Sequence, residues 1–291
     1  MQVTLWGTRG SLPCPGPETA RYGGNTPCVE VRDGAGTVLV LDAGTGIRRL
    51  GARLVDTVRR VDLLLTHLHM DHVQGLGFFA PLYHSAIELH IWGPASTTLS
   101  LRTRLTRYLS PPLFPVRLRD LPRVPVLHEV PVTGARIGGF RITAGLVCHP
   151  GPTVGYRIET ADATLAYLPD HEPALGVPQF PLEPHWTSGC ALAAGADLLI
   201  HDAQYSREEH ARRVSWGHSS LPDAIAFAAL AGVRHLVTFH HDPEHTDADL
   251  DGLLAAALAE SAPPFPVTPG REGETFTLGR ASETRTEEYR R

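Results

Sequence analysis

Apolar positions along the chain first recur in short alternating runs and only later take on a helical period. Residues 3–7 alternate as a strand, and Gly7-Thr8-Arg9-Gly10-Ser11-Leu12-Pro13 breaks the pattern. Residues 28–32 and 37–42 predict two strands joined across Asp33-Gly34-Ala35-Gly36, a hairpin signal. Ile47, Leu50, Leu54 and Val58 then fall on one helical face, which predicts a helix over 47–58. Residues 61–65 read as a buried strand that runs straight into Thr66-His67-Leu68-His69-Met70-Asp71-His72.

Further on, the pattern predicts a helix around 73–79, a strand around 87–92, a helical stretch around 96–109 and an irregular, proline-spotted connection over 111–131. Strands follow at 141–147, 154–159, 164–168, 197–200 and 235–239. Helices are expected at 221–230, with Ser219 or Ser220 as cap and Pro222 in the first turn, and at 247–258. Residues 180–188, rich in Pro, His and Trp, read as a loop. No low-complexity linker or solenoid repeat interrupts the order. A single domain over 1–279 with a polar C-terminal tail over 280–291 is the expectation. Helices outside two packed sheets are compatible with this order, which by itself leaves α/β and α+β open.

Composition changes the picture in three respects. A hydrophobic fraction of 42% with mixed charge belongs to a globular chain, and no apolar run approaches the roughly 20 residues of a membrane span. The net charge of −5 argues against bulk nucleic-acid binding. Cys14, Cys28, Cys148 and Cys190 form no CxxC motif, and the first strand starts too early to leave room for a signal peptide, so a cytoplasmic protein is expected. All 26 basic residues are arginine, and histidine, at 16, is over-represented.

The histidines point to chemistry. His67, His69, Asp71 and His72 place four metal-ligand side chains within six residues at a strand end. Residues two apart can aim imidazoles at one point, and the turn that follows can aim Asp71 and His72 at a neighbouring one.

This run resembles the HxHxDH hallmark of the metallo-β-lactamase fold superfamily, and Gly7-Thr8-Arg9-Gly10 and Leu41-Asp42-Ala43-Gly44 resemble its upstream features. The resemblance covers most of the chain. It implies an α+β fold, a four-layer αββα sandwich. It also implies that His67, His69 and His149 hold one divalent metal, that Asp71, His72 and His240 hold a second, and that Asp170 bridges them. His241 is the adjacent competitor of His240. Nitrogen and oxygen donors without thiolate suit zinc, with manganese or iron as alternatives. Histidine at position 69, where redox di-iron members carry glutamate, points to hydrolysis.

Gly217-His218-Ser219-Ser220 resembles the His-Ser-Thr segment of the ribonuclease Z-like branch. There the histidine stands at the metal site, so Asp71 and His218 are the implied catalytic residues. Asp71 would orient the attacking hydroxide, and His218 would stabilise the oxyanion or protonate the leaving oxygen. Asp42 and Asp202 are implied to hold His218 or the ligand histidines from behind. Arg21-Tyr22-Gly23-Gly24-Asn25-Thr26 resembles a segment of the same branch, which makes Arg9, Arg21 and Asn25 candidate phosphate or ribose contacts. In tRNA-processing relatives a long arm separates the third histidine ligand from the bridging aspartate; here only positions 150–169 intervene.

The resemblance thus implies a binuclear metal-dependent hydrolase, a phosphodiesterase acting on a small or cyclic phosphodiester such as a cyclic nucleotide, by metal-hydroxide attack on phosphorus. Thioester or lactone hydrolysis and tRNA 3′-processing are the alternatives, and a non-enzymatic metal-binding module is the least favoured. The expected partner is a small nucleotide substrate, with no membrane, and a homodimer is expected by the same resemblance. Residues 172–188, with Phe180, His185 and Trp186, are a candidate wall on which a base stacks.

Overall fold

Two seven-stranded sheets face each other in the computed structural model, which describes residues 1–131, 134–173, 180 and 183–279. In chain order the first sheet contributes β1 (Gln2–Gly7), β2 (Cys28–Arg32), β3 (Val38–Leu41), β4 (Arg60–Leu64), β5 (Glu88–Gly93) and β6 (Val126–Glu129). The second contributes β7 (Ala135–Ile137), β8 (Phe140–Leu146), β9 (Val154–Glu159), β10 (Thr164–Leu168), β11 (Leu198–Asp202), β12 (Leu236–Phe239) and β13 (Val267–Pro269). A last strand, β14 (Thr275–Thr277), returns to pair with β1 of the first sheet. Both sheets run antiparallel from β1 to β3 and from β7 to β10, then parallel to β6 and to β13.

The helices are α1 (Ile47–Leu54), α2 (Met70–Val73), α3 (Leu101–Tyr108), α4 (Cys190–Ala193), α5 (Arg207–Ala211), α6 (Leu221–Ala231) and α7 (Asp247–Ser261). Side chains alternate between faces along a strand, so the all-apolar β3 is buried on both sides. Val38 and Val40 point outward into a core with Leu50, Leu54, Leu101 and Leu105 of α1 and α3. Leu39 and Leu41 point inward and meet Tyr156, Ile158, Tyr167 and Phe239 between the sheets. On the far side, Ala166, Leu168 and Leu199 pack under Ala224, Phe227 and Ala228 of α6. The result is the four-layer αββα sandwich of an α+β protein.

The departures from the sequence reading are local. The helix at 47 stops at Leu54, where the Thr57 hydroxyl donates to the Arg53 and Leu54 carbonyls and turns the chain. The helix expected at 73–79 is instead α2 followed by single turns at Leu76–Phe78 and Ala80–Tyr83, a segment that Gly75, Gly77 and Pro81 weaken as a helix. The stretch at 96–109 becomes helical only from Leu101, because the Ser100 hydroxyl caps it by accepting from Thr103 N–H at 3.2 Å. The tail at 280–291 lies outside the described residues. No helix among the described residues is long and apolar enough to cross a membrane.

Candidate metal centre

The chemistry-bearing residues lie just past the C-terminal ends of strands. Asp42 follows β3, Thr66 and His67 follow β4, His149 follows β8, Asp170 follows β10, Asp202 ends β11 and His240 follows β12. Neighbouring strands of each sheet end together, so residues far apart in sequence meet along one rim of the sandwich.

Two groups of side chains form there. One ligand atom from each of His67, His69 and His149 lies within 4.8 Å of the others, and the same holds for Asp71, His72, Asp170 and His240. Asp170 spans both groups: one carboxylate oxygen lies 2.9 Å from His72 Nε2, and the other lies 3.7 Å from both His67 Nε2 and His149 Nε2. His240 Nε2 is 3.1 Å from Asp71 and 3.3 Å from Asp170. All seven residues in the sequence-derived set are thus brought together, and His240 rather than His241 joins them. His241 turns away and donates from Nε2 to the Gly270 carbonyl at 3.1 Å.

Each histidine ligand on the buried side is oriented through its other ring nitrogen. His72 Nδ1 donates to Asp42 at 2.9 Å, and His240 Nδ1 donates to the Gln204 amide oxygen at 3.0 Å. His149 Nδ1 donates to the Gly217 carbonyl at 2.8 Å. In the neutral ring each bond keeps the proton on Nδ1 and leaves the Nε2 lone pair for a cation. Asp42, fully buried, also accepts from Thr66 N–H at 2.8 Å and from the Tyr167 hydroxyl at 2.9 Å. The Thr66 hydroxyl in turn lies 3.0 Å from His67 Nδ1. Ser11 N–H donates to Asp71 at 2.9 Å. Gly10 is pressed so closely on the site that an added Cβ would lie 2.3 Å from His240 Nδ1.

The electrostatics favour a cation. Burial pushes the Asp71 and Asp170 carboxyls up, yet His72 and His240 hold both well below the ordinary carboxylate range. Burial pulls His67, His69 and His149 below the ordinary histidine value, which keeps them neutral and available as donors. His67 Nε2, His72 Nε2 and one Asp170 oxygen are buried with no hydrogen-bond partner of adequate geometry. Orphaned buried lone pairs converging from nitrogen and oxygen donors fit divalent metal ions.

His218 stands over both groups, its ring stacked on His240 at 4.9 Å and edge-on to His149 at 5.1 Å. Its Nδ1 donates to Asp202 at 2.7 Å. Burial lowers its pKa, but Asp202, with Asp170 and Asp71 beyond, outweighs that and raises it to about 9. His201 is a satisfied interior histidine, bonded to His171 at 2.9 Å and stacked on Phe227.

Of the three candidate substrate contacts the structure removes Arg9, and it gives Arg21 and Asn25 protein partners. The Arg9 guanidinium is fully buried and donates to the carbonyls of Gly23, Asp242 and His245, so it is framework and unavailable to a ligand. Arg21 forms a bidentate pair with Asp251 on α7. Asn25 is held by Glu272 through both its backbone N–H and its side-chain amide. Of the candidate wall, Trp186 is 85% exposed, and its loop is tied beside His149 by Cys148 N–H donating to Ser188 at 2.8 Å. Residues 174–179, 181 and 182 of that wall lie outside the described residues. Thr66 and Gln204 were missed in the sequence: Gln204 serves a ring 36 residues away, and the Thr66 hydroxyl that meets His67 is held by Asp42, 24 residues away.

Comparison with known proteins agrees with this fold. The beta-lactamase superfamily domain matches residues 37–241. A ribonuclease Z of a Mycobacterium species (strain KMS) is 30% identical over 261 residues, covering 84% of this chain and 85% of its own. The crystal structure of human tRNase Z, short form, superposes with a TM-score of 0.65 at 20% identity, over 96% of this chain and all of that one. A diphosphatase from the PhnP family does so with a TM-score of 0.67 at 17% identity, over 96% and 99%. The chain therefore belongs to the metallo-β-lactamase superfamily, in its branch of metal-dependent hydrolases similar to ribonuclease Z.

Proposed function

We propose that this protein is a binuclear metal-dependent phosphodiesterase whose substrate is a small or cyclic phosphodiester. His67, His69 and His149 would hold one divalent ion, Asp71, His72 and His240 the other, and Asp170 both; the donor set suits zinc, with manganese or iron as alternatives. When bound, the ions supply Lewis acidity, which activates water and neutralises charge developing on the phosphoryl oxygens.

The observation that carries the phosphodiester reading is the Asp202–His218 pair. Its 2.7 Å bond orients the His218 imidazole, which shares a cluster with His149 and Asp170 and another with His240, toward both candidate metal groups. A positively charged donor there stabilises a pentacoordinate phosphorane's extra charge, and His218 can pass its proton to the leaving oxygen. Asp202 keeps that ring oriented and charged. Asp71, fixed by Ser11 N–H, would orient the attacking water as well as hold a metal ion. A thioester needs no such proton donor, because a thiolate leaves unprotonated; a lactone's alkoxide does need one, and the substrate screen below separates it.

The small-substrate reading is supported by the segment between His149 and Asp170, which is the tight hairpin of β9 and β10 and projects no arm. A second reading, cleavage of a tRNA-type RNA, is favoured by the names of the relatives, ribonuclease Z and tRNase Z. A substrate screen separates them. Zinc- and manganese-loaded protein is assayed on bis-aryl phosphates, 2′,3′- and 3′,5′-cyclic nucleotides, a tRNA precursor, lactones and thioesters. Turnover of the small phosphodiesters at least tenfold above that of the RNA supports the first reading. Preference for the RNA supports the second, and hydrolysis confined to lactones or thioesters overturns both.

A further inference from the structure

One buried carboxylate beside the centre has no part in the chemistry above. Glu172 is 2% exposed and sits two residues beyond Asp170. Its two oxygens accept from Ser215 N–H at 3.0 Å and Gly217 N–H at 2.8 Å, and His210 approaches it at 3.5 Å. Its own backbone N–H donates to the Cys148 carbonyl at 2.9 Å. It is therefore tied to both sides of His149: to the residue before it in sequence, and to the residue that accepts its Nδ1–H.

The turn it holds does not form by default. Ser215 has φ +73°, a region non-glycine residues rarely enter, and Gly217 has φ +88°. A Cβ at Gly217 would lie 2.4 Å from His149 Nδ1, so only glycine brings a backbone carbonyl this close to the imidazole. Two N–H groups two residues apart point at one carboxylate, and that convergence compensates the strained conformation. The same turn leads directly into His218, and Ser219 locks the next step by donating to the His171 carbonyl at 2.6 Å.

We propose that Glu172 is a positioning residue that sets His149 for metal binding by clamping the Ser215–Gly217 turn. The chain of bonds runs from the Glu172 carboxylate to Gly217 N–H, through that residue to its carbonyl, and on to His149 Nδ1–H. It selects the tautomer whose Nε2 faces His69 and Asp170. The proposal rests on the reading that His149 holds a metal, but not on the identity of the substrate.

The test uses the full chain and zinc alone. Glu172→Gln keeps the shape and turns one acceptor into a donor facing an N–H. In competition with a chromophoric chelator, zinc affinity at the His67–His69–His149 group is expected to fall about 10–100-fold, with the second group unchanged. Glu172→Asp is expected to recover part of the loss. Ring-nitrogen NMR of the metal-free protein is expected to show His149 protonated on Nδ1 in the wild type and as a tautomer mixture in E172Q. Wild-type zinc affinity in E172Q together with an unchanged His149 tautomer would overturn the proposal. Should E172Q not fold, the wild type alone decides: Nε2 protonation of His149, or unprotected exchange of the Ser215 and Gly217 amides, overturns it, and Nδ1 protonation with slow exchange supports it. Neither readout involves phosphodiester turnover, so failure of the clamp and failure of the proposed function give different results.

Discussion

Asp42→Asn removes one charge and one acceptor at the most heavily used carboxylate beside the centre. Asp42 accepts from Thr66 N–H, from the Thr66 hydroxyl, from the Tyr167 hydroxyl and from His72 Nδ1, all within 3.1 Å and all out of contact with water. Asparagine can keep the bond from Thr66 N–H through its remaining oxygen. Its amide nitrogen then faces two donors, Tyr167 O–H and His72 Nδ1–H, where the carboxylate faced them as an acceptor. The hydroxyl can rotate; the imidazole relieves the clash only by moving its proton to Nε2, the atom that faces Asp71 and Asp170. Leaving one buried donor unsatisfied costs about 1–3 kcal/mol, and each kcal/mol lowers the melting temperature of a chain of this order of size by roughly 2–4 °C. The larger effect falls on the metal. Mutation of a group that orients a ligand histidine costs about 10–100-fold in affinity. Calorimetric melting of the metal-free variant and zinc competition measure the two effects separately. A variant that melts a few degrees lower and binds its second zinc at least tenfold more weakly fits the reasoning. Wild-type affinity at both sites would refute it, because His72 would then have no need of Asp42 to present Nε2.

Other substitutions separate parts of the account. His240→Ala is expected to abolish binding of the second metal, whereas His241→Ala should keep both metals and lower stability by about 1–2 kcal/mol, the loss of one buried hydrogen bond and some packing; metal analysis of the two variants decides. Arg21→Ala should leave KM and the melting temperature nearly unchanged, since its pair with Asp251 is on the surface, and steady-state kinetics with a melt check this. Asp33 accepts from Ala35, Thr37 and, across the two sheets, Gly139; burial raises its pKa, but these bonds outweigh that and hold it below the ordinary value. Its contribution to stability is therefore present above the unfolded value of about 3.9 and is lost as pH falls through the lower folded value. Denaturant melts should show Asp33→Ala less stable by about 1–2 kcal/mol at pH 7, with the gap closing below about pH 4.

His67 to His72 stood out as one contiguous run at a strand end. His149, Asp170, His240, Asp42 and Asp202 entered only through the resemblance to the superfamily, each at the end of an apolar stretch that reads as a strand. Arg9 was misread because its burial depends on Asp242 and His245, more than 230 residues away, and no local pattern encodes that packing. Arg21 and Asn25 likewise take partners remote in sequence, Asp251 and Glu272. Gln204 and Glu172 were invisible: each is an ordinary polar residue until the fold brings a ring or a turn against it. The strands β6, β7, β13 and β14 are three or four residues long, too short for a period of two to show. At His240 and His241 the sequence offered two adjacent candidates, and only the turn at φ +60° after β12 decides which ring enters the site.

The central claim is that two metal ions and His218 together hydrolyse a phosphodiester. Turnover of a 2′,3′-cyclic nucleotide, whose leaving ribose oxygen needs a proton, by wild type and His218→Ala, each with its metal content determined, tests it most directly. The account predicts that the wild type turns over with two ions bound, and that the variant retains both ions while kcat falls about 10²–10⁴-fold, the span of a general acid. No turnover by a fully loaded wild type, or equal turnover by the two proteins, would contradict it.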